Sequence, residues 1–141
     1  MTKGYVVGPG QSLPGWSPEL KASRASTGGS LTVLEARLQH GPPLHVHAYE
    51  DESFYVLDGT LTVTCGHDVF LAAPRSFVFL PRQVPHTFHP DGDQATVLLL
   101  ATPGGIDEYF RDLHLAADPA ARAQVAERYG ITVVTDPGEK P

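Results

Sequence analysis

The chain has 141 residues, enough to bury a core in one domain and too few for two ordinary ones. A formal charge of −6 with scattered Lys and Arg gives no electrostatic reason to bind nucleic acid or an anionic membrane, and 14 Gly with 13 Pro suit short strands joined by tight turns and disfavour a helical bundle. Cys65 is the only cysteine, which excludes an intramolecular disulfide and a cysteine-rich zinc site; without an apolar signal core or a run of about 18 apolar residues, the expectation is a cytoplasmic protein.

Residues 1–30 carry Tyr5-Val6-Val7 and then Pro9-Gly10, Pro14-Gly15, Ser17-Pro18 and Gly28-Gly29. They read as an extended arm with turns, in which Trp16 is expected to pack on the body or on a partner chain. The stretch 31–38 alternates Leu31, Val33, Glu35, Arg37 against Thr32, Leu34, Ala36, Leu38, a strand pattern. Gly41-Pro42-Pro43 stops it, and a strand with His45 and His47 follows.

The next runs, 53–57 and 60–64, flank Asp58-Gly59, a strong hairpin signal. A second turn at 65–68 leads to Val69-Phe70-Leu71. After Pro74-Arg75-Ser76 comes the apolar run 77–80, then Pro81-Arg82-Gln83-Val84-Pro85, then His86-Thr87-Phe88-His89 and a last apolar run at 95–101. This spacing predicts seven to nine short strands before residue 102 in an antiparallel barrel or sandwich. Phe54, Val63, Phe70, Phe77, Phe79 and Phe88 are expected chiefly in the core, some of them also facing a pocket.

Beyond Thr102-Pro103-Gly104-Gly105, Ile106, Tyr109, Phe110 and Leu113 recur at helical spacing behind the acidic first turn of Asp107 and Glu108, where the helix dipole favours negative charge. Asp118 reads as an N-cap with Pro119 at N1, so 120–129 is a second helix closed by Gly130. A short extended piece at 131–134 and a polar tail end the chain. Three segments result: an N-terminal arm (1–30), a barrel (31–101) and a helical tail (102–141).

His45 and His47 project from one face of a strand, about 6.6 Å apart at Cα, and can converge on one ion. With a nearby carboxylate they make a nitrogen and oxygen donor set suited to a first-row transition metal. Glu50, Asp51 and Glu52 all lie within reach in sequence. Strand alternation sets Glu50 on the same face as Glu52, with Asp51 turned away. His40, His67, His89 and His114 are expected to face solvent, and Cys65 to be a small apolar residue at a turn.

The pattern His45-x-His47-(x)4-Glu52-(x)6-Gly59 together with Pro81-(x)4-His86 resembles the two motifs of the cupin superfamily, over about residues 41–90. The resemblance implies a cupin-type jelly-roll β-barrel, all-β apart from the N-terminal arm and the C-terminal helices. It also implies one divalent transition metal per chain (Fe, Mn, Ni, Co, Zn or Cu) held by His45, His47, Glu52 and His86. The spacing to Gly59 selects Glu52 as the carboxylate ligand, with Glu50 beside the site, solvated, or the ligand in its place. Three motif glycines are replaced: Gln39 stands at the leading position of the first motif, with Gly41 close by, and Arg75 and Gln83 stand in the second, where Pro90 also replaces an asparagine.

Within the superfamily the run 42–63, the run 77–93 and the segments 104–111 and 127–131 are most similar to quercetin dioxygenase-like single-domain cupins. That likeness implies a metal-dependent dioxygenase acting on a small aromatic or enol-type substrate, such as a flavonol, with Glu52 as ligand and general base. Two alternatives are a polyketide cyclase or isomerase that uses the metal as a Lewis acid, and a non-catalytic small-molecule-binding cupin. The arm and the open sheet edges further suggest a homodimer.

Overall fold

A β-strand faces two ways, so in a two-layer protein the alternation along each strand decides what enters the core. The computed structural model describes residues 2–15 and 19–135; Trp16 and the tail beyond 135 lie outside them. The elements in order are β1 (Leu20–Ala22), β2 (Thr32–Leu38), β3 (His45–His47), β4 (Asp51–Asp58), β5 (Leu61–Cys65), β6 (Asp68–Ala72), β7 (Phe77–Leu80), β8 (His86–Pro90) and β9 (Ala95–Thr102). Two helices follow, α1 (Ile106–Leu115) and α2 (Pro119–Arg128), and then β10 (Ile131–Val133).

Two five-stranded sheets form, in the orders β1-β2-β9-β4-β7 and β10-β3-β8-β5-β6, and their paired strands run antiparallel. From β2 to β5 successive strands fall in alternate sheets, which gives the expected jelly roll. The layer between the sheets is filled by Leu34, Phe54, Val56 and Val97 from one side and Leu61, Val63 and Phe88 from the other. The rings of Phe54 and Phe88 meet edge to face at 4.4 Å.

Two expectations are corrected. Asp58-Gly59 does not close a hairpin, because β4 and β5 belong to different sheets. The turn is instead a corner at which the chain changes layer. Gly59 has φ +74, and a Cβ on it would sit 2.6 Å from the Gln94 carbonyl oxygen, so the Asp-Gly signal reports a backbone shape and not a pairing partner.

The second correction concerns the aromatics. Phe54, Val63 and Phe88 are in the core, but Phe77 and Phe79 are 63% and 51% exposed and Phe70 is 39% exposed. The register pairs Val78 with Phe54 and Leu80 with Glu52, so Val78 and Leu80 share the inward layer and the phenylalanines between them point out.

The helical expectations hold. Asp118 caps α2 by accepting from the Ala121 amide at 2.8 Å, with Pro119 at the first helical position, and Gly130 follows with φ +69. β10 then returns to pair with β3, setting Ile131 opposite His47 and Val133 opposite His45. No helix among the described residues is long and apolar enough to cross a membrane.

Candidate metal centre

β3 and β8 lie side by side with His45 opposite His86, while Glu52 enters from β4 of the facing sheet. Local features make this approach feasible. A Cβ on Gly41 would lie 1.7 Å from the Phe88 carbonyl oxygen, so only glycine lets the loop before β3 cross β8 this closely. Thr87 Oγ1 donates to the Pro42 carbonyl, and the Gln83 amide donates to the His47 carbonyl at 2.7 Å. These bonds fix the segments on either side of His86 against the strand carrying His45 and His47.

The result brings together the four residues that the motifs imply. His45, His47, Glu52 and His86 are all buried, and one donor atom from each lies within 4.8 Å of the others. His45 Nε2 and His47 Nε2 are 3.1 Å apart, Glu52 Oε2 is 3.1 Å from His47 Nε2, and it is 3.2 Å from His86 Nε2. Neighbouring donors around an ion with bonds of about 2.1 Å in an octahedral shell would be roughly 3 Å apart. The donor set therefore fits a first-row transition ion in both chemistry and spacing.

The rings are aimed from behind. His45 Nδ1 donates to the Pro43 carbonyl at 2.8 Å, and His47 Nδ1 donates to Glu50 Oε1 at 2.5 Å, so both present Nε2 to the centre. Glu50 is thus a support for His47 and not one of the four clustered donors. His86 differs, since its Nδ1 is buried and has no hydrogen-bond partner. Its ring is placed by the contact of Nε2 with Glu52 Oε2 and by packing, stacked on His47 at 5.4 Å and edge-on to His45 at 4.5 Å.

Electrostatics follow from this crowding. Burial lowers the His45 imidazole to about 4, with the neighbouring His86 adding to the effect. Burial also opposes charge on His47, but hydrogen bonds to Glu50 and Glu52 outweigh it and raise this imidazole to about 9. Burial would raise Glu52, yet hydrogen bonds to His47 and His86 hold it at about 2. A proton on His47 thus lies among donors suited to a cation.

The centre opens into a cavity of about 810 Å³, within the usual range for small-molecule sites. His45, His47 and Glu52 line one part of it, and Leu34, Leu38, Phe88 and Leu99 form an apolar wall. Ile106, Tyr109, Phe110 and Leu113 of α1 complete the wall. The helix is fixed there by Asp107, which accepts from Thr32 Oγ1 at 2.5 Å. The sequence marked that stripe as a helical face without saying what it faces. Among the remaining histidines, His40 is exposed at the cavity mouth, and His67, His89 and His114 are exposed. Cys65 is partly buried where β5 ends, and burial raises its thiol above the ordinary value.

Comparison with known proteins agrees with this geometry. Residues 34–102 match the Cupin_2 family, described as a cupin domain. The chain thus carries a cupin domain over residues 34–102. It is 28% identical over 95 residues to quercetin 2,3-dioxygenase of Bacillus subtilis, an alignment that covers 65% of this chain and 28% of that protein. The chain therefore spans little more than a quarter of that relative's length.

Among solved structures it is similar to KdgF from Halomonas sp., with a TM-score of 0.58, 17% identity, and 76% of this chain covering 99% of that one. It is also similar to a cupin-2 domain containing protein from Shewanella frigidimarina, with a TM-score of 0.52, 19% identity, and 64% of this chain covering 84% of that one. Both likenesses concern the fold.

Proposed function

We propose that the chain is a metal-dependent enzyme for a small aromatic or enol-type molecule, and specifically a quercetinase-like dioxygenase. The observation that carries this reading is the opening of a buried three-histidine, one-carboxylate centre into an apolar, aromatic-walled cavity. The partial likeness to a quercetin dioxygenase supports the choice of chemistry. Fe, Mn, Ni, Co, Zn or Cu bound at the centre would supply open positions for a substrate oxygen and for dioxygen.

The chain's own residues supply the rest. His45, His47 and His86 hold the ion with Glu52, and Glu50 keeps His47 in the tautomer that presents Nε2. Leu34, Leu99, Phe88, Tyr109 and Phe110, which line the cavity, hold a flat ring system and exclude water. A Glu52 carboxylate oxygen takes the proton of a substrate enol hydroxyl brought against it. The substrate then presents an anionic oxygen at the centre.

The test is oxygen consumption by the metal-loaded protein with flavonols and related polyphenols, followed with an oxygen electrode. Uptake that requires both substrate and a redox-active metal is expected. Absence of uptake across a broad panel, with anaerobic turnover of a polyketide supported by zinc, would instead establish a cyclase. Ligand binding without turnover in every assay would leave a binding protein.

A further inference from the structure

We infer that a second cavity, lying behind His47, is a binding site for a free α-amino acid with an aromatic or large apolar side chain. The cavity has a volume of about 400 Å³, within the usual range for small-molecule sites. It shares only Ile106 and Tyr109 with the cavity at the metal centre. Glu50 forms part of its lining, so the carboxylate that holds His47 Nδ1 also meets whatever occupies this space.

The lining carries charges of both signs. Glu50 is 9% exposed, and one of its oxygens accepts from His47 Nδ1. The other has no hydrogen-bond partner among the described residues. A buried carboxylate oxygen in this state calls for a donor, and a cationic donor bonds it about twice as strongly as a neutral one. Arg24 and Arg128 also line the cavity, with side chains 60 and 63% exposed. Each meets an acid through Nη1, Glu108 at 3.2 Å and Asp112 at 3.6 Å. A guanidinium has several further N–H donors, so both arginines keep donors for another carboxylate.

A ligand of one sign fits this lining poorly. An anion alone would face the Glu50 carboxylate with like charge, and a cation alone would face two guanidiniums. Phosphate is further disfavoured, because amides at the start of α1 that could cradle it are already used. The Gly104 amide donates to the Gly29 carbonyl and the Gly105 amide to Thr32 Oγ1. An ammonium and a carboxylate on one carbon meet both demands, the ammonium at Glu50 and the carboxylate at the arginines. Tyr49, Tyr109 and Tyr129 then receive the side chain. The rings of Tyr109 and Tyr129 stand 5.6 Å apart at 64°, and the Tyr129 hydroxyl is held by Asp112. Tyr49 rests on bare backbone, since a Cβ on Gly130 would lie 2.5 Å from its ring.

Calorimetric titration of the full chain with L-phenylalanine, L-tyrosine and L-leucine tests the assignment. Each is paired with the acid and the amine that lack its other charge, 3-phenylpropionate and phenethylamine in the case of phenylalanine. At least one amino acid is expected to bind with a dissociation constant of about 1 mM or below, and its two analogues at least about tenfold more weakly. EDTA should leave that affinity intact, because no metal ion takes part. Arg128→Gln should weaken binding at least about tenfold, the loss of one charge-assisted hydrogen bond. Arg128 does not line the cavity at the metal centre, so this loss locates the ligand. If circular dichroism shows that the variant does not fold, Arg24→Gln takes its place under the same criterion. A chain that binds none of the three amino acids at about 1 mM overturns the inference. So does equal binding of either analogue, loss of binding in EDTA, or an affinity unchanged by the arginine substitution.

Discussion

His47 carries more of the centre's order than the other three donor residues. Its Nδ1 is bonded to Glu50 at 2.5 Å, while its Nε2 faces both His45 and Glu52. A carboxylate behind a ligating histidine fixes the ring, and removing such a partner weakens metal binding about 10- to 100-fold. Glu50→Ala is expected to lose that much affinity in competition with a chelator, and Glu50→Gln less, because an amide oxygen can still accept from Nδ1. Equal affinity in wild type and Glu50→Ala would leave Glu50 no positioning role. Backbone at two other residues records a different constraint. Arg75 and Gln83 stand where the cupin motif has glycine, and both keep a glycine-like φ, +71 and +66. A left-handed non-glycine residue costs about 1–2 kcal/mol, partly offset by the greater freedom that glycine has in the unfolded chain. Both side chains are exposed. Arg75→Gly and Gln83→Gly should therefore each stabilise the fold by about 0.5–1 kcal/mol, seen as a higher urea midpoint at unchanged slope.

At the scale of elements, the two helices are joined through Asp112, which accepts from Arg111 at 2.9 Å and from the Tyr129 hydroxyl at the end of α2. The hydrogen bond from Arg111, then that from Tyr129, holds the Asp112 carboxyl below the ordinary 3.8. A carboxyl depressed by folding contributes stability above its unfolded pKa and loses it as pH falls through the folded value. Asp112→Asn should accordingly cost less than about 1 kcal/mol at neutral pH. The difference from wild type should shrink below pH 3.8, and a difference that grew on acidification would contradict this account. The helices themselves were readable, since Asp118, Pro119 and Gly130 each act through local backbone chemistry. So was the cluster of four donor residues, because three fall within eight residues and the fourth follows a proline-bounded turn. Less readable was anything that depends on pairing across the chain. Asp58-Gly59 encodes a turn shape but not which sheet the next strand joins, and Phe77-Val78-Phe79-Leu80 is apolar at every position, so its inward face is set only by register with β4. Glu50 lay in plain view, yet its role needed the ring nitrogen it touches.

For the molecule as a whole, the centre sits where the two sheets meet. His45, His47 and His86 belong to β3 and β8 of one sheet, and Glu52 belongs to β4 of the other, so an ion held by all four would join the layers across the core. Binding to the folded chain alone stabilises it by RT ln(1 + [L]/Kd), about 2.7 kcal/mol at a free metal concentration one hundred times Kd. The sheets also meet here through Glu52 and the imidazoles of His47 and His86, a buried cluster whose attraction has to offset its desolvation. Thermal unfolding with saturating divalent metal, compared with unfolding in chelator, should therefore show a large upward shift in the wild-type chain. Glu52→Ala removes the only donor from the β4 sheet. It should abolish most of that shift, while His86→Ala, which leaves one donor from each of β3's histidines and Glu52, should bind metal weakly and retain part of it. An ion that raised the midpoint of Glu52→Ala as much as that of wild type would have to be held within one sheet, and the joining role of the centre would fall.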